Sequence, residues 1–469
     1  MSSLKTIQDD SLPVWLPRLA EHGGPRFLQI ADALQAAMAD GLLKPGDRLP
    51  PQRQLAARLD VDLTTVTRAY DEARRRHLLE GRGARGTYVA APKVELSAIL
   101  DLSMNTPPPP DGVDFDDLLK QGLSQVLMRT DAALLMNYHL GGGSDFDRQA
   151  GAQWLEPMFG DLDSEQVLVC PGAQAAIAAL ILALTEPGDA ILAEPASYPG
   201  LRTTATQFGR HIIAVEADQH GMVPEMLEQA CRQHKPGLIY LNPTLQNPTA
   251  ITIPERRRQE LGSIAKRCNV RIVEDDPYWL LADAPPPPIA TFAPEQAYYI
   301  STLSKCLTPG LRVAFVLLRD PHERERFLVA LRSFALMVAP LTAALATQWI
   351  LDGSAAGLME GVRKEARLRH WMARDILAGR YSGAGDGLHV WLELPGYWSA
   401  SQLARAADSE GIAVTPAEAF ATGATSSGSV NAIRISLGSI KDRGRLQAGL
   451  QRLSHLLARR PESFSVAVV

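Results

Sequence analysis

Cysteine is scarce in this chain. Its 469 residues hold four, at Cys170, Cys231, Cys268 and Cys306, too far apart to make a metal-ligand spacing. No metal site is expected, and the usage suits a reduced, cytoplasmic protein. Long apolar runs are missing as well. No stretch of eighteen apolar residues is available to cross a membrane. Residues 1–10 are polar and include acids, unlike a secretory leader. A strong net charge is also lacking, with 47 Lys and Arg against 52 Asp and Glu, a balance of −5.

What is present is a globular composition, 46% hydrophobic and 21% charged, in a chain long enough for two or three domains. The small net charge is unevenly spread: residues 1–22 carry −1, residues 23–92 carry +3 and residues 93–469 carry −7. A cationic head on an anionic body suits a polyanionic partner for the head alone.

Punctuation and periodicity divide the chain. Residues 1–22 read as an arm with an apolar patch at Trp15 and Leu16. Phe27, Ile30, Leu34 and Met38 recur at helical spacing. A short helix is expected over 53–59, a turn at Asp60-Val61-Asp62, and a longer helix over 63–79. A Gly- and Arg-rich stretch, 81–86, then leads to a strand at 87–89. Residues 93–115 read as a linker stiffened by Pro107 to Pro110. From 116 to 469, apolar strand patterns at 167–169, 190–193, 238–241, 271–274, 297–300 and 313–318 alternate with helical ones. That alternation predicts an α/β domain with a mostly parallel sheet. A second proline run, 285–288, reads as a surface loop.

Two helices separated by a tight turn and followed by a basic hairpin are the parts of a winged helix-turn-helix. Asp62 suits the N-cap of the second helix, which places Thr64, Thr65 and Arg68 where base edges and phosphates are reached. Arg53 opens the preceding helix, whose terminal amides can face a phosphate. Arg82 and Arg85 sit in the hairpin. The run Arg74-Arg75-Arg76 reads as a solvated basic face.

The body offers different chemistry. Lys305 lies in Ser301-Thr302-Leu303-Ser304-Lys305, seven residues before Arg312. A lysine amine can form a Schiff base with an aldehyde, and an arginine fork suits a phosphate. Pyridoxal 5'-phosphate (PLP) carries both groups. Its ring nitrogen needs a carboxylate, and Asp275 ends an apolar strand where ligands approach an open sheet. Tyr278 and Asn247 can donate to its phenolic oxygen, and Tyr198 can stack on its ring. Gly172-Ala173-Gln174 opens a helix that can receive the phosphate, with Thr302, Ser304 and Arg312 completing that site.

Pro45-Gly46-Asp47-Arg48-Leu49-Pro50, Arg53-Gln54-Leu55-Ala56 and Thr65-Val66-Thr67-Arg68-Ala69-Tyr70 resemble the head of GntR-type regulators, in that order and spacing. The resemblance adds Arg48 to the expected DNA-binding set. Leu63 departs from it, replacing a polar or basic residue common at the start of the recognition helix. Over 116–469 the chain resembles the fold-type I aminotransferases. That resemblance implies Lys305 as the Schiff-base lysine, Tyr138 as a tyrosine reaching the phosphate of a neighbouring subunit, and Arg434 as the grip on a substrate carboxylate. A homodimer follows. Ala250 and Ala314 stand where that family usually has glycine. Head, linker and body together resemble the MocR subgroup of GntR regulators. The implied function is a PLP-dependent regulator that binds operator DNA and senses a small amine, an amino acid or PLP itself. A working aminotransferase with an accessory DNA-binding head is the alternative. A PLP store or purely structural dimer would leave Arg434 without a task.

Overall fold

The computed structural model describes residue 15, residue 19, and residues 24–76, 78–81, 86–90, 99–377, 381–382, 385–423 and 430–460. These fall into two compact units, divided between Ala98 and Ile99.

In the first unit, α1 (Arg26–Ala39), α2 (Gln52–Leu59) and α3 (Leu63–Arg75) precede an antiparallel pair, β1 (Leu79–Gly81) and β2 (Thr87–Val89). Ile30, Leu34, Leu55, Val66, Ala69, Tyr70, Leu79 and Val89 are buried together, so one apolar stripe per helix and one face of the hairpin make the core. Asp60 closes α2 in the left-handed region, a conformation Asp tolerates, and so makes the predicted turn. Asp62 is the N-cap of α3, but its side chain makes no capping bond. The third helix stops at Arg75, short of the expected 79, because Leu79 is needed in the hairpin and in the core. Trp15 and Leu19 pack against this core, whereas Leu16 lies outside the described residues.

The second unit holds the strands β3 (Leu100–Asp101), β4 (Val167–Cys170), β5 (Ala190–Ala193), β6 (His211–Ala214), β7 (Ala217–Asp218), β8 (Gly221–Met222), β9 (Leu238–Leu241), β10 (Arg271–Asp275), β11 (Ala297–Thr302), β12 (Ala314–Leu317), β13 (Tyr381–Ser382), β14 (His389–Glu393), β15 (Ile412–Ala413), β16 (Thr415–Pro416) and β17 (Ala432–Ser436). Seven of them form one sheet in the order β4-β12-β11-β10-β9-β5-β6, and only β12 runs antiparallel to its neighbours. Helices cover both faces, each over its own apolar core. A four-stranded antiparallel sheet, β13-β14-β17-β16, packs with the helices Ala400–Ser409 and Arg443–Ala458 around a third core.

Two sequence expectations change here. Residues 99–115 are not a free linker: β3 pairs in parallel with β15, Leu102, Asn105, Pro108 and Pro110 are buried, and α4 (Phe115–Arg129) begins at once. Proline holds a chain extended without needing hydrogen bonds, which suits a strap laid over a surface as well as a spacer. The run 285–288 is at most half-exposed rather than a surface loop. Trp279 Nε1 donates to Pro286 O at 2.9 Å, and buried Glu274 accepts the amides of Ile289 and Ala290 at 2.8 Å each.

Candidate functional site

The ends of β9, β10 and β11 converge with the strap of residues 99–115 and with β17. Asp275, the last residue of β10, is buried. Its Oδ2 accepts from Tyr240 Oη at 2.6 Å and its main-chain oxygen from Asn242 Nδ2 at 2.5 Å, while Oδ1 has no hydrogen-bond partner. Burial pushes its carboxyl up to about 6, against the opposing pull of Tyr240 and of the Lys305 charge. An unpaired buried carboxylate oxygen is costly and asks for a cationic or N–H partner. Behind it, fully buried Arg258 donates to Ile253 O (2.9 Å), Pro243 O (3.1 Å) and Thr244 Oγ1 (2.9 Å), fixing the loop after β9.

Lys305 follows β11 in a short helix whose N-cap is Thr302. Burial lowers its amine to about 8, helped by the charges of Arg434 and Arg312 and opposed by that of Asp275. Thr302 Oγ1 lies 3.1 Å from Ser304 Oγ and 3.3 Å from Ser304 N. Arg312, in the left-handed region at φ 51°, turns its guanidinium onto Gly172, where a Cβ would stand 2.5 Å from Nη2. Gly172 sits at φ 91°, where any other side chain would be strained, and it opens α7 (Ala173–Leu184). The first amides of α7 lack intrahelical partners, so amides and guanidinium converge on one anion cradle. The Gln174 side chain serves elsewhere, donating to Thr204 Oγ1 at 2.7 Å and Gly200 O at 3.2 Å, which leaves its main-chain amide for the cradle.

Tyr198 is half-buried, and burial raises its phenol, helped by the charge of Asp275 and opposed by that of Arg312. Asn247 and Arg434 meet: Arg434 Nη1 donates to Asn247 Oδ1 at 2.7 Å. Arginine has only donors, so Oδ1 is the atom facing it and Asn247 Nδ2 remains a free donor. Arg434 also donates to Ser103 O and lies over the Phe420 ring, 4.9 Å from its centroid. Tyr278 Oη accepts from Asn105 Nδ2 at 2.8 Å. Tyr138 does not join this site within its own chain. It is 69% exposed on the segment after α5 (Ala132–Leu135).

Tyr240, Asn242, Ser103, Asn105 and His389 also belong to this neighbourhood, and no sequence motif marked them. A tyrosine inside an otherwise apolar strand was a signal for the first. Asn105 was hidden by its proline-rich neighbours.

In the first unit, Arg48, Arg53, Thr64 and Arg68 are exposed and Thr65 is half-exposed. The Arg68 guanidinium lies 4.3 Å from the Phe27 ring centroid. Arg48 bridges to Tyr88 and lies against Gly86. Arg82 and Arg85 lie outside the described residues. Arg74, Arg75 and Arg76 pair with Asp71, Glu72 and Asp32, as a solvated basic face does.

Comparisons with known proteins agree with this division. Residues 97–453 match the aminotransferase class I and II family, and residues 27–89 match bacterial regulatory proteins of the gntR family. The chain is 31% identical over 453 residues to the uncharacterized HTH-type transcriptional regulator YdeF of Bacillus subtilis, covering 94% of this chain and 96% of that one. It is 27% identical over 431 residues to the vitamin B6 salvage pathway transcriptional repressor PtsJ of Salmonella typhimurium, covering 88% and 94%. Its fold matches LysN, the alpha-aminoadipate aminotransferase of Thermus thermophilus solved with N-(5'-phosphopyridoxyl)-L-leucine, at a TM-score of 0.70 and 26% identity over 77% of this chain and 92% of that one. With a GntR-type head that precedes an aminotransferase-like body in the sequence, this chain belongs to the aminotransferase class I and II family and, within the GntR regulators, to the MocR type.

Proposed function

We propose that this protein is a transcriptional regulator whose body holds PLP and senses a small amine, an amino acid or PLP itself, while its head binds operator DNA in the cytoplasm. The observation that carries the reading is the unpartnered Oδ1 of buried Asp275, in one site with Lys305 and the Gly172–Arg312 cradle. These residues fit PLP group by group. Asp275 would hold the ring nitrogen, and Tyr278 and Asn247 the phenolic oxygen. Tyr198 would lie against the ring. Gly172, Ala173, Gln174, Thr302, Ser304 and Arg312 would hold the phosphate. When bound, PLP supplies an aldehyde for amines and an electron-accepting ring. Lys305 would supply the amine for that aldehyde, and Arg434 a fork for an effector carboxylate. The match to a vitamin B6 salvage repressor supports PLP or its amine adducts as the signal.

The body acts as a homodimer in this reading. Met128, Leu134, Met136, Tyr138 and Phe146 form an exposed apolar run along α4, α5 and the start of α6 (Asp145–Phe159). A second copy would cover it and bring Tyr138 to the neighbouring cradle. Two heads then require two DNA half-sites.

Purified protein should be yellow, and borohydride should fix the cofactor to Lys305. Asp275→Ala should weaken PLP binding by about 3–5 kcal/mol, the scale for removing one member of a buried charge pair. Unchanged affinity in that variant, or reduction at another lysine, would overturn the site. Sedimentation of the PLP-bound protein as a monomer at micromolar concentration would overturn the dimer. A second reading, a working aminotransferase, is favoured by the presence of both Lys305 and Arg434. Catalytic release of keto-acid from candidate amino acids would establish it. A carboxylate-bearing amine that alters operator affinity without keto-acid release would establish the sensor.

A further inference from the structure

Three side chains, two of them beyond the expected site, form a directional hydrogen-bond chain that ends on Tyr278. His389, on β14, is fully buried, and burial holds its imidazole well below the usual range, so the ring is neutral. Its Nε2 lies 3.2 Å from Gln246 O, which can only accept. Nε2 therefore carries the single ring proton, and Nδ1 is an acceptor. Asn105 Nδ2 stands 3.0 Å from that Nδ1 and 2.8 Å from Tyr278 Oη. One amide nitrogen has two hydrogens, and these two acceptors use both. Asn105 Oδ1 then points away from both acceptors, and it is buried with no hydrogen-bond partner among the described residues. Tyr278 Oη accepts here, so its own proton is free for another acceptor.

We propose that Asn105 and His389 are positioning residues that turn the Tyr278 hydroxyl proton toward the phenolic oxygen of the bound cofactor. The proposal rests on the PLP reading of the site. It assigns a role to a residue of the strap that follows the head and to one of the C-terminal sheet, neither of which the sequence motifs marked. Burial raises the Tyr278 phenol most; the charged and titratable groups around it are Arg434, which opposes that rise, Asp275, Tyr198 and the His389 ring, 5.8 Å away between centroids. None of them replaces Asn105 as the donor to its oxygen.

The polarity of the chain makes it testable. Asn105→Asp keeps the shape but replaces the donor by an acceptor, so Tyr278 should turn its proton back onto residue 105. The readout is the pH midpoint of the visible absorption of the PLP-loaded, full-length protein. Tyr278→Phe should raise that midpoint by about one pH unit, through loss of a donor to the phenolic oxygen. Asn105→Asp should reproduce most of that rise, and Asn105→Ala, which removes the donor without adding an acceptor, should move it less. In the double variant, Asn105→Asp should add little to Tyr278→Phe, because its effect runs through the same proton. Additive shifts would mean a mere charge effect and would overturn the proposal. So would a wild-type midpoint in Asn105→Asp, or equal shifts in Asn105→Asp and Asn105→Ala. No shift in Tyr278→Phe would instead overturn the placement of the phenolic oxygen, and with it the reading on which this proposal stands.

Discussion

Lys305 Nζ donates a 2.5 Å hydrogen bond to the main-chain oxygen of Asn105, a residue 200 positions earlier in the chain. Two residues before Asn105, Ser103 O accepts from Arg434. The strap that follows the head is thus held by the two cations that PLP and an effector carboxylate would claim. Each hydrogen bond to a charged group is worth about 1.5–3 kcal/mol.

Occupying the site should therefore loosen the strap. Leu100 N and Leu102 N bond to Gly411 O and Ala413 O at 2.9 and 2.8 Å, and their exchange with solvent deuterium reports how firmly β3 is seated. N-(5'-phosphopyridoxyl)glycine, which presents phosphate, ring and carboxylate without further chemistry, should speed that exchange about tenfold, or about 1.4 kcal/mol. PLP alone should act less, because Arg434 keeps its hold on Ser103. Unchanged or slowed exchange at 100–105, with the first turn of α7 protected, would show that the ligand binds without freeing the strap. A coupling of about 1–3 kcal/mol between effector and operator is the scale on which this could act, and operator DNA should shift effector affinity by the same factor.

The pH dependence of Lys305 follows from its depressed value. The folded amine releases its proton near pH 8, whereas the ordinary value is 10.5. Between these limits the unfolded chain holds the extra proton, so stability of the ligand-free protein rises as pH rises through that window. The burial cost below pH 8 is on the order of 3 kcal/mol at most. Lys305→Met should flatten the rise in thermal midpoint between pH 8 and 10.5 and should also abolish colour with PLP. For wild type, the rate of colour formation should climb with pH and level off above about 8, since only the neutral amine attacks. A rate indifferent to pH between 6 and 9 would contradict the lowered amine.

In the head, Arg68 and Arg53 should differ in kind. Arg68 sits on the recognition helix α3 with its guanidinium held against Phe27, a cation–π contact that pre-orients it. If it reads a base edge, Arg68→Ala should cost about 1–3 kcal/mol on the operator and little on random DNA. Arg53 stands exposed at the start of α2, so Arg53→Ala should weaken all sequences alike and reduce the salt slope by about one unit. Phe27→Leu should reproduce part of the Arg68 loss. Specific binding that survives deletion of residues 1–92 would refute the head as the reader.

The sequence was most legible where one interaction decides the outcome. Apolar strands such as 190–193 and 238–241 were placed to the residue, because burial on both faces leaves no competing pattern. Lys305, Asp275 and Arg312 were expected together because each demands a particular chemical partner, and the structure places them within electrostatic reach of one another. The strand His211–Ala214, with no fully buried residue, gave no such run and was missed. Asn105 was read as linker because composition reports stiffness but not what a stiff segment lies upon. The contacts joining it to Lys305, Tyr278 and His389 span 173 to 284 positions, beyond the reach of any local pattern.

Two alanines at positions where the aminotransferase resemblance implies glycine separate local strain from simple packing. Ala250 follows the cis Asn247-Pro248 turn by two residues and sits at φ 57°, buried, with its amide donating to Gln246 O. A Cβ in the left-handed region costs about 1–2 kcal/mol, less the entropy that glycine adds to the unfolded chain. Ala250→Gly should therefore stabilise the body by about 1 kcal/mol. Ala314 is different. It lies inside β12 between Thr302 and Cys170, fully buried and absent from the left-handed residues. Its methyl fills sheet packing without strain, so Ala314→Gly should destabilise by about 1 kcal/mol. Thermal midpoints of the two variants should move in opposite directions. A loss of stability in Ala250→Gly would show that the loop carrying Asn247 has adapted to its methyl group, and that the strain assigned to this turn is absent.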